Sequence, residues 1–204
     1  FLLLSFAGDM TTWVKPFYYH GLSIGNQLSS SAGSLDLDAV TSATPLVTGT
    51  ESLSNLFLGN VGGCIGETSA LALLLGGLFL IFTRVISPST PIAYLGSLGI
   101  LTFFHALATG GSLTEVPYAL LSGGVMIGAF FMATDYVTTP ITTKGKWIFG
   151  IGCGILTFVI REFASMPEGC SFSILLMNLL TPYIDKFTMT KPLGAKPIKQ
   201  KEEA

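Results

Sequence analysis

The feature that most constrains this chain is a succession of apolar stretches separated by prolines and short polar links. They cover approximately Ser69–Ile86, Pro91–Ala108, Pro117–Ala133 and Lys146–Arg161, with a shorter fifth at Ser171–Ile184. About 20 mostly apolar residues cross the hydrocarbon layer as one helix. Inside that layer every backbone amide must find an internal partner, which favours helices over open sheets. The pattern predicts an all-α polytopic membrane protein, with about five to six transmembrane segments counted by that length rule. Ser171–Ile184 is short for a full span and reads either as a tilted helix supported by neighbours or as a re-entrant piece. Composition agrees. Only 11% of residues are charged, against about 25% in a soluble domain, and the mean hydropathy is +0.65. Pro88, Pro91, Pro117, Pro140, Pro167 and Pro182 fall at or near the ends of the stretches, where helix breakers belong. Gly76-Gly77, Gly123-Gly124 and the Gly150/Gly152/Gly154 run read as places where helix backbones approach closely.

The rest of the chain differs in kind. Residues 1–10 open on Phe1-Leu2-Leu3-Leu4-Ser5-Phe6, without an initiator Met or a basic flank. They do not read as a signal peptide. They read as the end of a transmembrane helix cut in the middle, in a piece truncated at its N-terminus. Residues 11–68 form a long polar segment rich in Ser, Thr and Gly. Residues 69–185 are the transmembrane helical domain, and residues 186–204 are a Lys-rich, solvated tail. A net charge of −2 suggests no nucleic-acid partner. Cys64, Cys153 and Cys170 form no CxxC pair, and His20 and His105 lie far apart. A zinc site or a cysteine-ligated cluster within this chain is therefore unsupported. No nucleophile–base–oxyanion constellation is visible, which argues against a hydrolase.

Lys and Arg set the expected orientation. If the tail is cytoplasmic, five spans alternate backwards from it. Arg84, Lys144, Lys146 and the tail lysines then fall inside, eight of the ten basic residues, with Lys15 and Arg161 as exceptions. The 11–68 segment falls outside.

Three constellations could carry chemistry. Asp38-Ala39-Val40-Thr41-Ser42-Ala43-Thr44-Pro45-Leu46, taken bare, is a small-residue turn with an acidic neighbour. Gly59-Asn60-Val61-Gly62-Gly63-Cys64-Ile65-Gly66-Glu67-Thr68-Ser69 leads into the first strong span. It is either a tight turn with a cap, or a loop whose N–H groups meet an anion or a ring carbonyl. Glu67 and Thr68 are expected in the first helical turn, where an acid offsets the helix dipole. Phe131-Met132-Ala133-Thr134-Asp135-Tyr136-Val137-Thr138-Thr139-Pro140 puts an acid at a membrane helix end. Asp135 sits either at the interface or inward, where with Thr134, Thr138 and nearby carbonyls it would offer a hard cation oxygen ligands.

These same residues carry a resemblance. Asp38 with Thr41-Ser42-Ala43-Thr44 is similar to the flavinylation signature Asp-x-x-(Ser/Thr)-(Gly/Ser)-Ala-Thr of ion-pumping flavoproteins. The Gly59–Ser69 element resembles Gly-Asn-x-x-Gly-x-x-Gly-Glu-Thr-Ser of the membrane subunits RnfD and NqrB, with Cys64 where Ser is frequent. Met132-Ala133-Thr134-Asp135 resembles their Met-Ala-Thr-Asp-Pro-Val, with Tyr136 in place of Pro. Met10–Trp13, Ile160-Arg161 and Glu168–Asn178 extend the likeness from about residue 10 to 185, closer to RnfD than to NqrB.

The resemblance implies FMN joined through its phosphate to Thr44, with Asp38, Thr41, Ser42 and Ala43 forming the recognition loop. Small neighbours leave the hydroxyl accessible to a flavin transferase, which in bacteria acts outside the cytoplasm. Gly63, Gly66, Glu67 and Thr68 would line the flavin pocket, and a second, non-covalent flavin (riboflavin) is allowed. Asp135 becomes the expected Na+ ligand. The implied whole is a subunit of an Rnf-type ferredoxin:NAD oxidoreductase in the bacterial inner membrane. It would work with integral and peripheral partner subunits and couple electron flow to Na+ or H+ movement, with no complete active site of its own. The alternatives are an NqrB-type subunit of a Na+-translocating NADH:quinone reductase, or a cofactor-free channel or transporter. The family's fold is similar to urea-channel-type proteins, but a plain channel has no reason to carry the Asp38–Thr44 signature.

Overall fold

In the computed structural model the described residues are 13–14, 41–42, 52–61, 68–164 and 168–189. Strands β1 (Trp13–Val14) and β2 (Thr41–Ser42) form a two-residue antiparallel pair. The other regular elements among the described residues are helical. They are α1 (Leu53–Leu58), α2 (Ala70–Phe82), α3 (Ser89–Thr109), α4 (Glu115–Leu121) and α5 (Val125–Ile127), which runs into a π-helical turn (Gly128–Met132). They continue with α6 (Thr143–Phe163) and α7 (Cys170–Thr188). This is the all-α membrane architecture expected from the apolar runs.

Two helices, α3 and α6, are each 21 residues long and apolar enough to cross a membrane. At 1.5 Å per residue each is about 32 Å long, close to the hydrocarbon thickness. Local sequence sets their ends. The Thr142 hydroxyl accepts the Gly145 N–H (3.0 Å) at the start of α6. Gly110, at φ 70°, closes α3 in a left-handed cap that favours glycine.

The two helices run parallel and touch backbone to backbone through glycine. A Cβ on Gly150 would lie 2.7 Å from Ala93 Cβ and 2.8 Å from the Thr90 carbonyl oxygen. One on Gly154 would lie 2.8 Å from the Tyr94 carbonyl oxygen. Small residues four apart are what such an approach requires. The expected packing role of the Gly150/Gly152/Gly154 run is therefore present, and Gly152 faces Met177 of α7. Helix α7 runs the opposite way to α6. Gly145 meets Thr188 at one end and Gly169 meets Ile160 at the other. Tyr94, Phe149, Cys153, Cys170, Ile174 and Met177 make the core of this three-helix contact. Outward faces carry large apolar residues such as Phe104, Ile155 and Leu179, suited to lipid or further protein.

Four differences from the sequence expectation have physical causes. The Pro117–Ala133 stretch is not one helix. It breaks between α4 and α5, and the two parts are inclined by 65°. Gly123 at φ 65° makes that turn possible, so Gly123-Gly124 builds a break rather than a helix contact. The first stretch is helical over only 13 residues. It stops where the Thr83 hydroxyl donates back to the Phe79 carbonyl (2.9 Å) and Arg84 turns left-handed at φ 58°. The fifth stretch is a continuous 19-residue helix that passes through Pro182 to Thr188. Pro182 has no N–H for the Asn178 carbonyl. Beside it, Thr181 Oγ1 donates to the carbonyls of Thr138 (2.9 Å) and Met177 (3.2 Å). Finally α2 begins at Ala70, with Ser69 as its cap accepting from Ala72 N–H (3.3 Å). Thr68 therefore precedes the helix instead of lying in its first turn.

The close contact makes a testable demand. Gly154→Ala should destabilise the detergent-solubilised protein by about 1–3 kcal/mol, the usual cost of overpacking. Gly96→Ala on the same pair of helices is the control, because a Cβ there meets nothing within 4 Å. Thermal unfolding of both variants separates the two outcomes.

Candidate functional site

Of the flavin-segment residues, Asp38, Ala43, Thr44, Gly63, Gly66 and Glu67 lie outside the described residues. Thr41 and Ser42 are described along their backbone. Val14 is paired opposite Thr41 and Trp13 opposite Ser42. This anchors the chain two residues before Thr44 against Trp13 and Val14. Gly59 takes φ 91° at the end of α1 and packs directly on Ser69, so that a Cβ at Gly59 would come within 2.7 Å of Ser69 Cβ. The two ends of the glycine-rich element thus touch. Thr68, half-buried, sits beside that neck.

Asp135 lies in the exposed turn after the π-helical segment. Its Oδ2 accepts the Thr138 hydroxyl (3.2 Å), and its carbonyl accepts the Thr139 N–H (3.2 Å) and hydroxyl (2.5 Å). Among the described residues no group of three or more His, Cys, Asp or Glu side chains converges there or elsewhere. Beside the turn is a small cleft of about 40 Å³, whose lining includes Thr90, Thr134, Tyr136, Thr139 and Lys146. The Tyr136 hydroxyl donates to the Val85 carbonyl and closes one wall.

Sequence reasoning missed a second region, at the helix break. Arg161, near the end of α6, donates from Nη1 to the Ala119 carbonyl (2.8 Å) and from Nη2 to the Ser122 carbonyl (3.1 Å). Glu168, just before α7, accepts the Gly124 N–H on Oε1 (2.8 Å). A cation thus meets the carbonyl end of α4, and an anion meets the amide that opens the next part. Both choices suit the backbone partial charges.

Below the break is a buried cluster. Tyr94 OH lies 2.7 Å from Thr157 Oγ1 and donates to Cys170 Sγ (3.0 Å). Thr157 Oγ1 is also 2.7 Å from Ser173 Oγ, and Cys170 donates to the Gly124 carbonyl (3.3 Å). Thr157 and Ser173 further donate to the carbonyls of Cys153 (2.8 Å) and Cys170 (2.7 Å). The four groups carry one hydrogen each and share more contacts than hydrogens. The cluster therefore holds several proton arrangements. The sequence clue was Arg161 itself, one of two basic residues on the expected outer side, where a charge needs a partner.

The family model for NQR2, RnfD, RnfE matches residues 1–194. The chain belongs to the NQR2, RnfD, RnfE family. It is 48% identical over 176 residues to the D component of the Na(+)-translocating ferredoxin:NAD(+) oxidoreductase complex of Acetobacterium woodii, covering 82% of this chain and 53% of that protein. It is 41% identical over 210 residues to the D component of the proton-translocating ferredoxin:NAD(+) oxidoreductase complex of Clostridium ljungdahlii, covering 96% of this chain and 59% of the relative. The D component of the ion-translocating oxidoreductase complex of Stutzerimonas stutzeri is 38% identical over 220 residues, covering 95% and 60%. The chain thus spans little more than half the length of these curated relatives. As a member of this family with apolar spanning helices, it is a multi-pass membrane protein.

Two substitutions gauge the buried cluster. Thr157→Val keeps shape but leaves the contacts from Tyr94 and Ser173 unmet, and should cost about 1–3 kcal/mol. Tyr94→Phe removes one hydroxyl from partners that still bond one another, so its cost should be nearer 1 kcal/mol. Thermal denaturation in detergent gives the ranking, and an equal or inverted order would contradict this account of the cluster.

Proposed function

We propose that this chain is the flavin-carrying part of an RnfD-type subunit of an ion-translocating ferredoxin:NAD oxidoreductase, with FMN joined through its phosphate to the Thr44 hydroxyl. The observation that carries the reading is the Asp38…Thr41-Ser42-Ala43-Thr44 signature, in a chain whose relatives bear the names given above. Bound there, FMN would supply electron carriage between centres in partner subunits, and the protein would position the ring and tune its potential. Electron flow through the subunit is coupled in this reading to movement of Na+ or H+. The complex is the oxidoreductase in this reading, and this chain contributes to it as one subunit.

The residues present suit covalent attachment. Thr41 and Ser42, within the signature, are held by backbone pairing with β1. The neck formed by Gly59 and Ser69 draws the two ends of the second glycine-rich element together, where Gly63, Gly66, Glu67 and Thr68 would serve the flavin. The helix directions support the proposed sidedness. The end of α2, the starts of α3 and α6, and the end of α7 share one end of the bundle, which collects Arg84, Lys144, Lys146 and Lys186. A cytoplasmic position for that end puts the Thr44 segment outside, where a flavin transferase would act.

The test is direct. The full-length subunit, made with its flavin transferase, is run on a denaturing gel and viewed under ultraviolet light. A yellow-green band is expected for the natural sequence and should vanish in Thr44→Val. A dark natural band with an active transferase would sink the reading. Asp135 is proposed as an ion ligand on the same basis, so Asp135→Asn should shift the sodium dependence of transport. An unchanged dependence would remove it from the ion path.

A further inference from the structure

The break between α4 and α5 leaves main-chain carbonyls that no helical N–H can reach. Ala119 and Ser122 present two such oxygens, and both are taken by the Arg161 guanidinium. A third oxygen is adjacent. The Ser122 hydroxyl is fully buried and has no hydrogen-bond partner among the described residues. A native protein seldom buries a hydroxyl unpaired, and such a group often marks the place of a missing ligand. Carbonyl and hydroxyl oxygens at the carbonyl end of an interrupted membrane helix are the ligand set that a partly desolvated monovalent cation takes. The site is also connected. From the break, Gly124 O leads to Cys170, and Cys170 to Tyr94, Thr157 and Ser173, a string of polar groups inside an otherwise apolar core.

We propose that the α4–α5 break is a cation-binding step formed by the Ala119 carbonyl, the Ser122 carbonyl and the Ser122 hydroxyl, and that the Arg161 guanidinium is a tethered occupant that closes it to free cations. Arg161 occupies the two carbonyls as a substitute ion and leaves the Ser122 hydroxyl unengaged. Its planar fork matches two carbonyls at once, which no solvated ion bound there could displace without breaking both bonds. Glu168 holds the next amide from the other side and keeps the break open as a cradle. Arg161 is therefore a positioning and blocking residue that prevents ions crossing when no electrons flow. The inference rests on the ion-translocating reading of the complex but not on the flavin at Thr44.

The experiment uses the whole complex in proteoliposomes, with no electron donor, and follows passive efflux of radioactive sodium and chloride. Arg161→Gln keeps a hydrogen-bond donor but removes the charge and the fork. Its sodium leak should rise at least about tenfold, as losing about 1.4 kcal/mol of barrier would produce, while chloride leak stays at the natural level. Arg161→Lys retains a tethered cation and should leak far less than Arg161→Gln. Adding Ser122→Ala to Arg161→Gln should lower the sodium leak again, because one ligand is lost. Sodium efflux from assembled Arg161→Gln equal to that of the natural complex would overturn the proposal. So would a parallel rise in chloride, which marks a packing defect. If Arg161→Gln does not assemble, the Arg161→Gln/Glu168→Gln pair keeps the break's net charge and is measured instead. The same two outcomes decide it. Gel fluorescence at Thr44 is recorded for every variant, so loss of flavin and loss of the block are read separately.

Discussion

The close approach of α3 and α6 governs the rest of the described structure. With Gly150 and Gly154 at the contact, the two backbones meet and the Tyr94 side chain is carried through the seam toward α7. A larger residue at either glycine would push α6 away and pull Thr157 from the Tyr94 hydroxyl. Cys170 and Ser173 complete the cluster from α7, and Cys170 in turn holds the Gly124 carbonyl at the helix break. The position of the break thus depends on a contact between helices that do not contain it. Hydrocarbon offers no water to replace a lost bond, which is why polar groups here are tied in chains.

The break shows how a membrane segment can be interrupted without exposing its backbone. Two charged side chains from the ends of neighbouring helices serve it, Arg161 at the carbonyl side and Glu168 at the amide side. Neither has to face lipid. Each is also close to the end of its own helix, so the charges enter from the water side of the layer, where they cost least.

Much of this was legible in the amino-acid sequence, and the rest was hidden for a physical reason. Apolar runs report spans because the hydrocarbon thickness sets one length for all of them, so α3 and α6 could be read directly. Gly150 and Gly154 could be read too, since small residues four apart form a continuous groove on one helix face. Gly123 could not be told from them. Its role depends on Arg161 and Glu168, which bond its neighbours Ser122 and Gly124 from far along the chain and share no period with it. Tyr94, Thr157 and Ser173 each look like ordinary helix residues, and only the packing of three helices brings them together. Pro182 misled because proline usually ends a helix, whereas here the helix continues through it and Thr181 binds the neighbouring backbone. The family resemblance was carried by compact local motifs, which survive without any knowledge of packing. It was right on family, while the flavin itself stands as a proposal resting on Thr44.

The contact between Gly59 and Ser69 has an entropic consequence. Closing a loop costs chain entropy, and most of that cost falls on bringing the two ends together. Here the ends meet through a left-handed glycine and a helix cap, both formed from neighbouring residues. The entropy cost of closing that neck is therefore met by local structure on either side of it, before anything is asked of the residues between.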